Sequence, residues 1–136
     1  MALNTNFDNL IIAAKDENKA NCLLYLRRIY ELLPKYLASY DMRNPITYIL
    51  YTKSHILNAY YYVEINDWGQ VMNNLDIAEQ YFKSIVNNVE YNKNREGKIN
   101  KIYITLKELQ NSIAIKDREV FLIKYKILLQ DLNELT

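Results

Sequence analysis

Few side chains of this sequence could do metal or acid–base chemistry. The 136 residues include one histidine, His55, and one cysteine, Cys22. A zinc site needs several His or Cys ligands, and a di-iron carboxylate bundle needs two Glu-x-x-His motifs on facing helices. The residue three before His55 is Thr52, and no aspartate-rich loop has the spacing of a calcium site. We therefore expect no metal and no cofactor, although binding of Ca²⁺ or Mg²⁺ by carboxylates alone stays open.

A cysteine and a histidine could also form a nucleophile and its base. Cys22 lies beside Leu23 and one helical turn before Leu26, on an apolar face. Free cysteines on such faces are usually buried and inert. Gly69 and Gly97 stand alone, so the sequence has no glycine-rich phosphate loop. These features favour a protein that is not an enzyme.

One polar and aromatic stripe is the candidate binding site. Its members follow one another at spacings of three, four, three and four, which places them on one face of a helix: Tyr48, Tyr51, His55, Asn58 and Tyr62. We call them the tyrosine–histidine stripe. Tyrosine gives a large contact area with little loss of entropy, so the stripe could bind a peptide, a glycan or a small molecule. The alternative is that the rings cover the edge of the core and keep their hydroxyls in water.

Helices must position these residues, because apolar side chains alternate at spacings of three and four along the chain. Asp16, Asp67 and Asp117 each follow an apolar and then a polar residue, and they are 51 and 50 residues apart. Aspartate accepts hydrogen bonds from the free N–H groups that open a helix, so each is predicted to be the N-cap of the return helix of an αα-hairpin. The expected fold is all-α, an antiparallel up-and-down bundle of five to six helices in one domain, residues 1–136. Its turns resemble those of tetratricopeptide repeats, whose period of about 34 residues is shorter.

Proline, glycine and apolar positions refine this arrangement. Pro34 is predicted to kink or break the second helix near Leu33. Asn44 is predicted to cap the third helix, with Pro45 in its first turn, and the polar segment 91–97 is predicted to be a loop. The predicted common core consists of Leu26, Leu33, Ile56, Leu75, Phe82, Leu106, Leu109, Leu128 and Leu132.

Charge and hydropathy bear on partners and location. The formal net charge of +1 gives no broad attraction to nucleic acid. Glu96 interrupts the basic residues around the segment 93–101, and these basic residues are predicted to lie in a solvated loop. Separately, Trp68 is predicted to pack at the start of its helix and so to hold the central αα-hairpin together. No apolar run is long enough to span a bilayer, and the N-terminal residues lack the pattern of a signal peptide.

Three segments resemble a group of small helical lipoproteins from clostridia. The matching motifs are Leu106-Lys107-Glu108-Leu109 with Ile115-Lys116-Asp117-Arg118, Ile123-Lys124-Tyr125 and Leu129; Glu64-Ile65-Asn66-Asp67-Trp68; and Leu32-Leu33-Pro34-Lys35-Tyr36. The resemblance implies a bacterial cell-surface location through a lipid on an N-terminal cysteine, and it implies no catalytic residue. The sequence departs from the group at Cys22, which does not follow an apolar run with a small-residue lipobox.

These features predict a non-enzymatic helical interaction or scaffold module. The alternative is a small-molecule or metal-binding protein with its site on the tyrosine–histidine stripe. A protein or peptide partner is expected, nucleic acid is not, and contact with a membrane would need a tether absent from this chain. We expect a lipid-anchored surface location if the resemblance holds and a cytoplasmic one otherwise; the sequence leaves the oligomeric state open.

Overall fold

The computed structural model of the chain describes residues 2–16, 18–37 and 45–135, which form an all-α fold. The predicted fold class is therefore confirmed. Its helices are α1 Ala2–Lys15, α2 Lys19–Leu37, α3 Pro45–Glu64, α4 Trp68–Val86, α5 Val89–Asn92, α6 Glu96–Ser112 and α7 Arg118–Glu134, with a 3₁₀ turn at Ile113–Ile115. The short α5 is one more helix than the sequence predicts.

Helices α3 and α7 form the centre of the bundle. Helix α3 packs against α2, α4 and α7, while α7 packs against α1, α3 and α6. In addition, α1 contacts α2, and α4 contacts α6. The helices therefore make two four-membered rings, one of α1, α2, α3 and α7 and the other of α3, α4, α6 and α7, which share α3 and α7. A helix shared by two rings must bury more than one face, and α3 buries ten of its 20 residues.

Two of the three aspartate turns have the predicted geometry. The Asp67 carboxylate accepts a hydrogen bond from the backbone N–H of Gln70 at 3.3 Å, and Asp117 accepts two backbone N–H bonds at 2.8 and 3.3 Å. The residue before each aspartate has a positive φ, 62° at Asn66 and 54° at Lys116. This left-handed residue ends one helix so that the aspartate can begin the next.

The prediction that Asp16 is an N-cap is wrong. The backbone N–H of Asp16 donates to the Ile12 carbonyl at 3.0 Å, so this residue completes the last turn of α1. The cap of α2 is Asn18, whose side chain accepts from the backbone N–H of Asn21 at 3.1 Å. Asparagine and aspartate are about equally good N-caps, so the chain can use the later of the two residues.

The proline and glycine positions have mixed outcomes. Helix α3 begins at Pro45 as predicted, whereas Asn44 lies outside the described residues. Helix α2 continues through Pro34 to Leu37, so the predicted break is absent. The predicted loop 91–97 is wrong, because it contains the end of α5 and the start of α6.

Side-chain capping explains the helix within that polar segment. Asn88 accepts a hydrogen bond from the backbone N–H of Tyr91 at 3.0 Å and opens α5. Helix α6 starts at Glu96, whose negative charge in the first turn suits the positive end of the helix dipole. Gly97 is exposed and tolerated there.

The buried side chains form one hydrophobic cluster, to which every long helix contributes. Eight of the nine predicted core residues belong to it, and the side chain of the ninth, Leu33, lies outside the described part of the structure. The core prediction is therefore confirmed where the structure describes it.

Candidate binding site

The structure divides the tyrosine–histidine stripe between two neighbours of α3. All five side chains are half-buried. The first three, Tyr48, Tyr51 and His55, lie against α4, whereas Asn58 and Tyr62 line a groove toward α2. The two parts therefore do not form one surface, and each has its own geometry.

Tyr81 of α4 organises the part of the stripe that faces α4. Its ring stacks on Tyr51 with centroids 4.9 Å apart and an interplanar angle of 13°, and on His55 at 5.8 Å and 16°. Tyr48 approaches the same ring at 6.4 Å. The stripe spacing within α3 does not reveal Tyr81, which becomes a neighbour only when α3 and α4 pair in antiparallel fashion.

A hydrogen bond fixes the His55 ring. The amide nitrogen of Asn74 donates to the Gln70 carbonyl at 2.9 Å, which leaves the amide oxygen to accept from Nδ1 of His55 at 3.1 Å. Nδ1 of His55 is therefore the donor in this hydrogen bond. These contacts are those expected of rings that cover the edge of the core.

The other part of the stripe opens into a groove between α2 and α3, which we call the α2–α3 groove. Its volume is about 420 Å³, and its lining is mostly apolar: Leu23, Leu26, Arg27, Asn58, Tyr61 and Tyr62. Tyr61 is 43 % exposed and meets Tyr62 edge-on, with centroids 5.4 Å apart. The sequence pattern misses Tyr61, because this residue belongs neither to the tyrosine–histidine stripe nor to the core-facing row of Ile49, Ile56 and Val63.

Arg27 is the charged residue in the lining of the α2–α3 groove. This guanidinium lies 3.7 Å from Glu31, and its side chain is 82 % exposed, so the ion pair is weak. The neighbouring Arg28 has a different environment, 5.7 Å from the centroid of the Tyr25 ring. Of these two adjacent arginines, Arg27 lines the groove.

Cys22 and His55 have different partners, so the two residues do not form a hydrogen-bonded catalytic pair. Cys22 is buried and its thiol bonds to the Tyr60 hydroxyl, while His55 bonds to Asn74. Burial raises the pKa of both the Cys22 thiol and the Tyr60 hydroxyl. Both groups are therefore neutral near pH 7, and the thiol is a poor nucleophile.

A lysine is buried in the centre of the bundle. Lys53 of α3 is fully buried, and its ammonium donates to the side-chain oxygen of Asn133 at 3.4 Å. The Asn133 amide in turn donates to Asp8 at 2.9 Å, which links α3, α7 and α1. Burial lowers the pKa of Lys53 to about 7, against the opposing effect of the Asp8 charge. The amine is thus partly neutral at pH 7, but its burial closes it to a substrate.

Glu79 is the centre of a polar network between α4 and α6. Its carboxylate accepts hydrogen bonds from Lys107 at 2.8 Å and from Gln110 at 2.9 Å, and it lies 3.1 Å from the ammonium of Lys83. Burial opposes ionisation, but the hydrogen bonds from these three partners outweigh it and lower the pKa of Glu79 to about 2. The network fixes the register of two helices, and the sequence pattern did not single it out.

Trp68 and three of the basic residues around α6 have partners within the chain. Trp68 packs against the core and donates from Nε1 to Asn66 at 2.7 Å, as expected of a residue that locks the turn. Lys98 pairs with Glu134 and Lys101 lies 3.2 Å from Asp131. Arg95 stacks on Tyr91 at 4.4 Å. Part of the positive charge of this segment is thus already matched within the fold.

The described residues contain no group of three or more His, Cys, Asp or Glu side chains arranged to hold a metal ion. Within the same residues, no helix combines the length and apolar character needed to cross a bilayer. The fold and the α2–α3 groove define a small helical bundle with an open, mostly apolar cleft. Comparisons of the chain with protein-family models, with curated proteins and with solved structures give no significant match.

Proposed function

We propose that this chain is a non-enzymatic interaction module that binds a protein or peptide partner in the α2–α3 groove. The observation that carries the proposal is the open groove in which Tyr61 and Tyr62 meet Leu23 and Leu26. Exposed tyrosines beside aliphatic side chains are typical of binding surfaces, because a ring supplies contact area and its hydroxyl supplies a hydrogen bond. The groove includes two residues of the tyrosine–histidine stripe, Asn58 and Tyr62.

The chemistry of the groove describes the partner. Its walls are mostly apolar, and the charged group at its edge is the exposed guanidinium of Arg27. Arginine binds carboxylates through paired N–H groups. The segment that fits best therefore carries apolar side chains for the groove and a carboxylate for Arg27.

A small molecule of the same character is the second candidate. The volume of about 420 Å³ lies within the range of about 300–1,000 Å³ that small-ligand sites occupy. An apolar carboxylic acid would use the same walls and the same arginine. The two candidates differ in the contact area outside the groove, which a peptide would add.

Selection from a phage-displayed peptide library on the immobilised chain tests the proposal. Enriched peptides are expected to combine apolar residues with Asp or Glu, and Tyr61→Ser or Arg27→Glu is expected to weaken their binding at least about tenfold. Arg28→Glu is the matched control, because it makes the same charge change one residue outside the groove lining.

The outcomes separate the two parts of the stripe. Peptides that bind Arg27→Glu and Tyr61→Ser as tightly as the unaltered chain would contradict the proposal. Loss of binding in the double variant Tyr51→Ala, His55→Ala, with the groove variants unaffected, would move the site to the cluster around Tyr81. Thermal unfolding of each variant shows whether lost binding reflects lost folding.

The resemblance to clostridial lipoproteins adds a location to this proposal. A lipid-anchored form would present the α2–α3 groove outside the cell, where its partners would be surface or extracellular proteins. Labelling of the natural gene product with radioactive palmitate, followed by separation of membrane and soluble fractions, tests this location. Recovery of unlabelled protein in the soluble fraction would contradict it.

A further inference from the structure

A chain of three polar side chains joins the interior of the bundle to the surface where α1 contacts α7. The ammonium of Lys53 donates to the side-chain oxygen of Asn133 at 3.4 Å, and the Asn133 amide donates to Asp8 at 2.9 Å. Lys53 is fully buried, whereas Asp8 is exposed. The charge of a buried group on α3 can therefore act on the contact between two other helices.

Two opposing effects act on the charged form of Lys53. Burial removes water from the ammonium and disfavours the charge, while the carboxylate of Asp8 favours it. Burial is the larger effect, because it lowers the pKa of Lys53 to about 7. The closed bundle thus holds the neutral amine better than the ammonium, and a local opening that admits water to Lys53 removes this difference.

The contact between α1 and α7 is the part of the bundle that can open to admit that water. Helices α3 and α7 are fixed to each other by the stacked rings of Tyr60 and Tyr125, whose centroids are 5.1 Å apart. The hydrogen bond between Asn133 and Asp8 lies at the surface, where water can replace it at little cost. Separation of α1 from α7 therefore hydrates Lys53 and leaves the pairing of α3 with α7 intact.

Among the described residues, Asp8 is the charged group that acts on Lys53. The other titratable groups on α3 and on the helices packed against it engage partners elsewhere. Cys22 of α2 bonds to Tyr60 and lies in the field of Lys126, Arg27 of α2 pairs with Glu31, Glu64 of α3 pairs with Arg118 of α7, His55 of α3 bonds to Asn74 of α4, Glu79 of α4 pairs with Lys107, and Asp131 and Glu134 of α7 pair with Lys101 and Lys98.

We propose that the contact between α1 and α7 is a proton-sensitive switch, which opens more readily when Lys53 carries its proton and stays closed when the amine is neutral. The Asp8 carboxylate limits the opening, because it attracts the ammonium in the closed state. A local opening of this kind is distinct from unfolding of the whole bundle. The switch needs no partner in the α2–α3 groove, so it goes beyond the proposed function.

The direction of the pH dependence follows from the two protonation states. The pKa of Lys53 is 10.5 in water and about 7 in the closed bundle. Between these values opening binds a proton, so the equilibrium constant for opening falls as the pH rises, by at most about tenfold per pH unit. Below pH 7 Lys53 is protonated in both states, and the constant changes little.

Hydrogen–deuterium exchange of the full chain between about pH 6 and about pH 8.5, followed by mass spectrometry, tests this switch. Protection factors are compared, because they correct for the pH dependence of the exchange chemistry. At pH 7 the amides of α1 are expected to be at least about tenfold less protected than those of α6. Their protection should stay nearly level up to about pH 7 and then rise by up to about fifteenfold by pH 8.5.

Two variants assign the effect to the polar chain. Lys53→Met is expected to raise the protection of α1 at pH 7 and to remove its pH dependence. Asp8→Asn keeps an oxygen that can accept from Asn133 but removes the charge, so it should lower the protection of α1 more at pH 6 than at pH 8.5. Asp16→Asn is the matched control, because it removes the same charge from an exposed residue at the other end of α1.

Three results would overturn the switch: protection of α1 that does not rise above pH 7, protection of α1 equal to that of α6 at every pH, or a rise that Lys53→Met retains. The first two need no variant, so they decide the matter even if Lys53→Met does not fold. An effect of Asp8→Asn that is the same at pH 6 and pH 8.5, or that Asp16→Asn reproduces, would overturn the role of Asp8.

Discussion

Replacement of Lys53 by methionine is expected to stabilise the protein at neutral pH. Lys53 is fully buried among helices α1, α3 and α7, and burial lowers its pKa to about 7. Methionine has a similar length, no charge and enough flexibility to fill the same space. The variant removes the energetic penalty of the buried ammonium and also its hydrogen bonds, which include the one to Asn133.

The sign and size follow from proton linkage. The pKa of Lys53 is 10.5 as a free side chain and about 7 in the fold, so between these values the unfolded chain binds more protons and stability rises with pH. Below pH 7 the whole penalty is present, and at pH 7 most of it remains; it corresponds to at most about 5 kcal/mol. Since each hydrogen bond lost with the ammonium offsets about 1 kcal/mol, the expected net gain is about 2–4 kcal/mol. Near pH 10.5 the two proteins should have similar stability.

Urea unfolding followed by circular dichroism, between about pH 6 and about pH 10, measures this difference. The exposed Lys93 provides the control, because Lys93→Met removes an exposed positive charge and leaves the buried ammonium of Lys53 in place. A Lys53→Met variant that is less stable than the unaltered chain at pH 7 would refute the reasoning. The reasoning would also be refuted if the stability of the unaltered chain rose above pH 7 no more than the stability of the variant.

Three further predictions concern stability. Phe82→Ala is expected to lower the free energy of unfolding by about 3–5 kcal/mol, because Phe82 is fully buried; a loss below about 1 kcal/mol in urea unfolding would indicate a surface position. Asp117→Ala should lose about 0.5–2 kcal/mol by the same measurement, and Asp16→Ala should lose less because Asp16 caps no helix. Glu79 has a pKa lowered from 4.5 to about 2, so its stabilisation is complete above pH 4.5 and is lost as the pH falls toward 2. Unfolding at several acid pH values should therefore show that the free energy of unfolding of the unaltered chain declines by up to about 3 kcal/mol. The Glu79→Gln variant should lack this decline. Equal declines in both proteins would contradict the role of the network.

Local signals predicted the helices and two of the turns, because those signals depend on residues close in sequence. Asp67 and Asp117 each have a left-handed residue before them and a helix after them, which is a local arrangement. Asp16 lacks this arrangement, and Asn18 is an equally good cap two residues later. The pattern that ends at Asp16 does not include Asn18, so it could not show which of the two residues caps α2.

The candidate site was predicted only in part, because its neighbours come from other helices. A seven-residue spacing drifts around a helix by about 20° per heptad. Between Tyr48 and Tyr62 the stripe therefore turns by about 40°, from α4 toward α2. Tyr81 lies on a helix that this pattern does not describe. Lys53 lies on the core row between Ile49 and Ile56, but its charge made a buried position unexpected.

The contact between α1 and α7 also has a consequence for synthesis of the chain. Asp8 and Asn133, which join these helices, are 125 residues apart. At a ribosomal rate of about 5–20 residues per second, roughly 6–25 s separate their synthesis. During that interval α1 has no α7 to pack against, whereas the α3–α4 hairpin can close as soon as α4 emerges. The pair of helices α1 and α2 is therefore the part of the nascent chain that depends longest on protection from aggregation.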